Sequence, residues 1–92
     1  MSDFLNLMNA LKKWLAPKLS IAENNILPHH NLIDDLGSTA SKNKELAIEF
    51  GTRMAVTVSD SEAGTAETVR DIYDIVDTKI RTESVTNHWS SS

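Results

Sequence analysis

Apolar residues along this chain fall into stretches where they recur every three or four positions, separated by stretches with no period. Phe4, Leu7, Met8, Leu11 and Leu15 form the first such stripe, which predicts a core-facing helix over residues 3–18. Ser2 is its candidate N-cap, and Asp3 sits in the first turn, where the helix dipole favours negative charge. Pro17 should end or kink the helix near its last turn. Lys12 and Lys13 lie off the stripe, and Trp14 borders it as a core-edge aromatic, a role that outweighs ligand stacking. Residues 19–35 then show no sustained period and contain Asn24, Asn25, Pro28, His29, His30 and Asn31, all loop formers. Ile21, Ile26, Leu32 and Ile33 are spaced as anchors for this connection, whose length is unusual unless it is packed or functional.

Helical spacing returns near residues 38–40 and lasts to about Met54, with Leu46, Ala47, Phe50 and Met54 on one face. Ile48 falls almost opposite Leu46, so it is either a lone surface residue or an anchor for a partner. Gly51 inside this helix costs about 1 kcal/mol relative to alanine, and the periodicity offers no reason for it. Residues 55–58 alternate but have no strand to pair with, so they read as an extended connection with Val58 turned inward. Ser59 and its neighbours supply N-caps for a short, marginal third helix over residues 61–64. The last helix is the clearest: Val69, Ile72, Tyr73, Val76 and Ile80 follow the helical template, with Asp71, Asp74, Asp77 and Lys79 off the stripe. The expected fold class is all-α, a four-helix bundle with a long first loop and a short third helix. The domain should span residues 1–81, and residues 82–92 read as a disordered C-terminal tail ending in three serines.

At 92 residues the chain suffices for one domain with a thin core. A formal charge of −4 without a run of Lys or Arg argues against nucleic-acid binding and for contact with basic protein surfaces. The absence of Cys excludes disulfide scaffolds, thiolate metal sites and cysteine nucleophiles. No apolar run long enough for a signal peptide or membrane span is present, so no membrane partner is expected and a cytoplasmic location is the default. His29 and His30 are adjacent loop residues without a third ligand at useful spacing, and they read as solvated rather than metal-bound. Tyr73 reads as a core-edge residue. No glycine-rich phosphate loop or nucleophile–base arrangement supports an enzyme.

The informative stretch is residues 32–41: the apolar pair Leu32 and Ile33, the acidic pair Asp34 and Asp35, then Leu36, Gly37, Ser38, Thr39, Ala40 and Ser41. It resembles the modification-site region of acyl carrier proteins, where an apolar pair, an acidic pair, Leu-Gly and one variable residue precede Asp-Ser-Leu. Asp35, Leu36 and Gly37 match that pattern, and the family's Asp-Ser-Leu falls on Thr39, Ala40 and Ser41. The same register continues through Glu45, Leu46, Phe50, Met54, Val58, Ser59, Asp60, Glu67, Thr68, Val69 and the helix around Ile72 and Val76. It covers roughly residues 26–80.

The resemblance implies a non-catalytic carrier that is a monomer when free. A phosphopantetheinyl transferase would attach 4'-phosphopantetheine to a serine at the start of the second helix, and the terminal thiol would carry acyl or polyketide intermediates. A helix N-terminus suits the phosphodiester, because its unpaired N–H groups and positive dipole end favour negative charge. Implied partners are that transferase, a ketosynthase with its chain-length factor, a malonyl transferase and other synthase enzymes. Asp34, Asp35, Thr39, Glu45, Ile48, Glu49 and Met54 are the implied partner contacts. Housekeeping fatty-acid carriers have a strongly acidic second helix, whereas here Lys42, Lys44 and Arg53 outnumber Glu45 and Glu49. That balance favours a dedicated type II polyketide or specialised fatty-acid system.

The attachment position is Ala40, which has no hydroxyl. Three explanations stand side by side: a deliberate Ser→Ala replacement; a shifted register that uses Ser41 or Ser38; or a naturally unmodified relative acting as a protein-interaction or regulatory module. A one-residue shift turns the side chain by about 100° around the helix, which a transferase reading one face would miss.

Overall fold

The computed structural model describes the backbone of residues 2–91 and the side chains of residues 6–82. Four helices follow in order: α1 (Ser2–Leu19), α2 (Ala40–Arg53), α3 (Asp60–Ala63) and α4 (Val69–Ser91), with a 3-10 turn at Glu23–Asn25 in the first loop. Among the described residues there is no strand, and one isolated antiparallel bridge pairs Asn31 with Thr68. The expected bundle is therefore the observed one.

Burial follows the stripes read from the sequence. Met8, Leu11 and Leu15 of α1, Leu46, Ala47 and Phe50 of α2, and Val69, Ile72, Tyr73 and Val76 of α4 converge in one core. Ile26, Leu32 and Leu36 pin the long first loop onto it, while Val56, Val58, Ala63 and Ala66 close the other side. Phe50 is fully buried at the centre, a burial that contributes about 1.5–3 kcal/mol. Trp14 is half-buried at the core edge with its ring 5.5 Å from that of Phe50. Tyr73 lies deeper than a core-edge position, at 5% exposure. Burial, followed by the nearby Asp77 carboxylate, raises its phenol above the ordinary value of 10.0.

Both long helices before the C-terminal one end in the same backbone motif. After α1, Ser20 adopts a left-handed φ of 57° and the Ile21 N–H donates to the Ala16 carbonyl at 3.0 Å. After α2, Ala55 has φ 65° and the Val56 N–H donates to the Gly51 carbonyl at 2.9 Å. These are Schellman turns, which satisfy the last carbonyls and reverse the chain sharply. Pro17 stays within α1, in its last turn.

Two further expectations are corrected. Ile33 is not an anchor: it is 43% exposed, because the tight turn that buries Leu32 and Leu36 points it outward. His30 is half-buried rather than merely solvated, and its Nδ1 accepts the Leu27 N–H at 3.1 Å. The backbone of α4 stays helical beyond Ile80, to Ser91. The side chains of Phe4 and of residues 83–92, which make up nearly all of the expected tail, lie outside the described residues.

Candidate functional site

The segment leading into α2 is held by its own polar groups. Asn31 Oδ1 accepts the N–H groups of Ile33 and Asp34, both at 2.9 Å, and the Asn31 N–H donates to Asp35 Oδ2 at 2.8 Å. The Asn31 carbonyl also accepts from Asp35 and Leu36 at 2.9 and 3.2 Å. The next two N–H groups, Gly37 and Ser38, turn back to the carbonyls of Ile33 and Leu32. Gly37 closes this turn at φ +77°, a left-handed conformation that glycine adopts without a steric penalty.

The loop is also tied to the start of α4. Leu32 N–H donates to the Glu67 carbonyl at 2.8 Å, Val69 N–H to His30 at 3.2 Å and Arg70 N–H to Pro28 at 2.9 Å. Asp71 Oδ2 accepts the Glu67 and Thr68 N–H groups, while Thr68 Oγ1 accepts the Asp71 N–H, so this end of α4 is capped from both directions. Buried Asn43 adds an Nδ2 hydrogen bond to the Ala66 carbonyl at 3.3 Å, although its Oδ1 has no partner among the described residues. Position 40 thus stands on a braced platform rather than on a free loop.

Thr39 caps α2 with extended backbone, φ −130° and ψ 165°, and its hydroxyl accepts the Lys42 N–H at 3.1 Å. Ala40 and Ser41 are the first two helical residues, and both are exposed. Their N–H groups are among those that no helical carbonyl can reach, so this end of α2 suits a phosphodiester electrostatically. Covalently it does not: Ala40 presents a methyl group, and no ester with phosphopantetheine can form there. Of the two alternative hydroxyls, Ser38 is buried at 5% exposure and donates to the Thr39 carbonyl at 3.3 Å. Ser41 is exposed, one residue further along the helix than Ala40.

The implied partner contacts separate into groups. Asp34 and Glu45 are exposed. Asp35 is exposed but committed to Asn31, so its first task is to hold the turn. Glu49 pairs with Lys18 of α1 at 3.4 Å, and Lys44 pairs with Asp60 of α3 at 3.8 Å. Exposed pairs of this kind contribute at most about 1 kcal/mol. Ile48 and Met54 are half-buried and pack against the core from its edge. Among the described residues Lys42, Glu45 and Arg53 have no ion-pair partner, which leaves the outward charge of α2 on the basic side. Sequence reasoning missed Ile33 as an exposed apolar residue beside the acidic pair, and it missed Asn31 and Asn43 as the polar braces. An Asn two and three residues before the N–H groups of a turn was the available signal for Asn31.

Comparison with known proteins gives a consistent result. The acyl carrier proteins of two Treponema pallidum strains are each 31% identical to this chain over 70 residues, covering 76% of this chain and 90% of theirs. The acyl carrier protein of Thermotoga maritima is 27% identical over 74 residues, covering 80% of this chain and 91% of its own. No protein-family model matches the chain.

Proposed function

Because this chain belongs to the acyl carrier protein family, we propose that it is a discrete, non-catalytic carrier from a type II polyketide or specialised fatty-acid synthase, held unloaded by Ala40. The observation that carries this reading is the position of Ala40: exposed, directly after the Thr39 cap, at the first helical residue of α2. That is where the family register puts the attachment serine. The cap, the Gly37 turn and the braces around them are made by other residues, so the platform is complete apart from one oxygen atom. The net basic outward charge of α2 supports a dedicated set of synthase partners over a general one. These would include a phosphopantetheinyl transferase, a ketosynthase with its chain-length factor and a malonyl transferase.

The test is incubation with a broad-specificity phosphopantetheinyl transferase and coenzyme A, read by intact mass. The expected result is no change in this chain and the gain of one phosphopantetheinyl group in Ala40→Ser. Modification of the unaltered chain would place the acceptor at Ser41, since Ser38 is buried. Failure of Ala40→Ser to react would replace the carrier reading with that of a non-carrying interaction or regulatory module.

A further inference from the structure

A cleft of about 350 Å³ lies between the C-terminal half of α1 and the end of α2. Lys13, Trp14, Pro17 and Lys18 line it from α1, and Arg53 and Met54 from the end of α2. Its floor is apolar: Trp14 and Met54 are half-buried and rest on the core. Its rim is cationic. Lys18 Nζ stands 5.2 Å from the centre of the Trp14 ring and shares Glu49 at 3.4 Å. Lys13 and Arg53 are exposed and have no ion-pair partner among the described residues. Three cations and one carboxylate therefore surround an aromatic floor, on a chain whose formal charge is −4. Among the described residues Glu49 is the one carboxylate that pairs with any of the three, and an external anion would offset the remaining repulsion.

We propose that this cleft docks an acidic segment of a partner protein, one apolar side chain flanked by carboxylates. The apolar group packs on Trp14 and Met54, and the carboxylates meet Lys13 and Arg53. Charge complementarity selects this occupant and this face: the cations of α4 are already paired, Arg70 with Asp74, Lys79 with Glu62 and Arg81 with Asp77, whereas Lys13 and Arg53 have no such partner among the described residues. α2 has 14 residues, so the cleft lies about 20 Å along the helix axis from position 40. A partner held here leaves the N-terminus of α2 uncovered. The docking is independent of whether position 40 can be loaded, and its failure would leave the transferase test unaffected.

The test is a titration of the ¹⁵N-labelled chain at low salt with an acetylated, amidated pentapeptide, a leucine flanked on each side by two glutamates. A parallel titration uses the same peptide with glutamines. Saturable movement of the Trp14 indole N–H and the Met54 amide with the glutamate peptide is expected, with binding at least about tenfold weaker for the glutamine peptide. Lys13→Glu/Arg53→Glu should weaken the interaction by a similar factor, and Arg53→Gln alone provides a milder variant should the double reversal disturb folding. An unmoved Trp14 indole at millimolar glutamate peptide would overturn the proposal, as would equal responses to both peptides. Shifts at the cleft that grow with protein concentration in the absence of peptide would overturn it too, because they would make a second copy of this chain the occupant.

Discussion

Replacing Gly51 by alanine should destabilise the protein, although alanine is favoured over glycine inside a helix by about 1 kcal/mol. A Cβ at this position would lie 2.6 Å from Val58 Cγ2 and 3.4 Å from the Val56 carbonyl oxygen. The cause is the chain reversal after α2, in which the Val56 N–H returns to the Gly51 carbonyl at 2.9 Å and lays residues 56–58 across the last turns of the helix. Val56 and Val58 are both buried there. Val58 is β-branched, so it cannot swing one methyl aside without driving the other into its neighbours. Overpacking of this kind costs about 1–3 kcal/mol. Against the propensity gain, the net loss is about 1 kcal/mol, or roughly 4–8 °C in Tm for a domain of this size.

Urea unfolding followed by far-ultraviolet circular dichroism measures the change. The decisive comparison repeats Gly51→Ala in a Val58→Ala background, where the crowding methyl is absent. There the sign should reverse, and alanine should stabilise by up to about 1 kcal/mol. A stabilising Gly51→Ala in the presence of Val58, or a double-variant cycle without coupling, would refute the close-approach explanation.

Other expected outcomes can be read with the same assay. Ala55→Gly should stabilise by about 0.5–1 kcal/mol, because Ala55 sits at φ 65° where an L side chain is strained. Thr39→Ala should cost about 1 kcal/mol by removing the acceptor for the Lys42 N–H, with amide exchange fastest in the first turn of α2. Glu62 Oε1 accepts the Ser59 N–H and hydroxyl, both at 3.0 Å, and Lys79 sits 2.9 Å from its other oxygen. The Ser59 N–H first, then Lys79, holds this carboxyl below its ordinary value of 4.5. A lowered folded-state pKa adds stability above the ordinary value and loses it as pH falls through the lowered one. The deficit of Glu62→Gln should therefore be full near neutral pH and shrink in acid; a deficit that persists unchanged at low pH would count against this.

Much of the architecture was legible because its signals are local and repeated. The stripes of α1 and α4 place Leu11, Leu15, Ile72 and Val76 in the core by spacing alone. The signature around Asp35, Leu36 and Gly37 also located the start of α2, since Gly37 does occupy a left-handed turn and Thr39 does cap. What escaped depends on which distant segment lies opposite. Gly51 is explained by Val58, which belongs to a different segment, and Asn43 by the Ala66 carbonyl, 23 residues away. Ile33 and Leu32 are equally apolar, and only the hydrogen bonds from Leu32 to Glu67 and from Ser38 to Leu32 decide which of them turns inward. The ion pairs that occupy Lys44 and Glu49 are likewise between helices, so the net charge of α2 did not reveal which of its charges face outward.

The division of labour at the head of α2 leaves the side chain of residue 40 without a structural task. Asn31 and Asp35 hold the turn, Gly37 supplies the left-handed residue, Thr39 caps, and Leu32 and Leu36 anchor the segment. None of these interactions uses the side chain of residue 40, which projects into solvent. Selection for folding therefore acts on the neighbours of this position and leaves the residue itself free to vary, so serine and alanine there should differ little in stability. The difference between a loaded carrier and an unloaded one is then chemical alone, and any binding surface elsewhere on the bundle, including the cleft between α1 and α2, can operate the same way in either form.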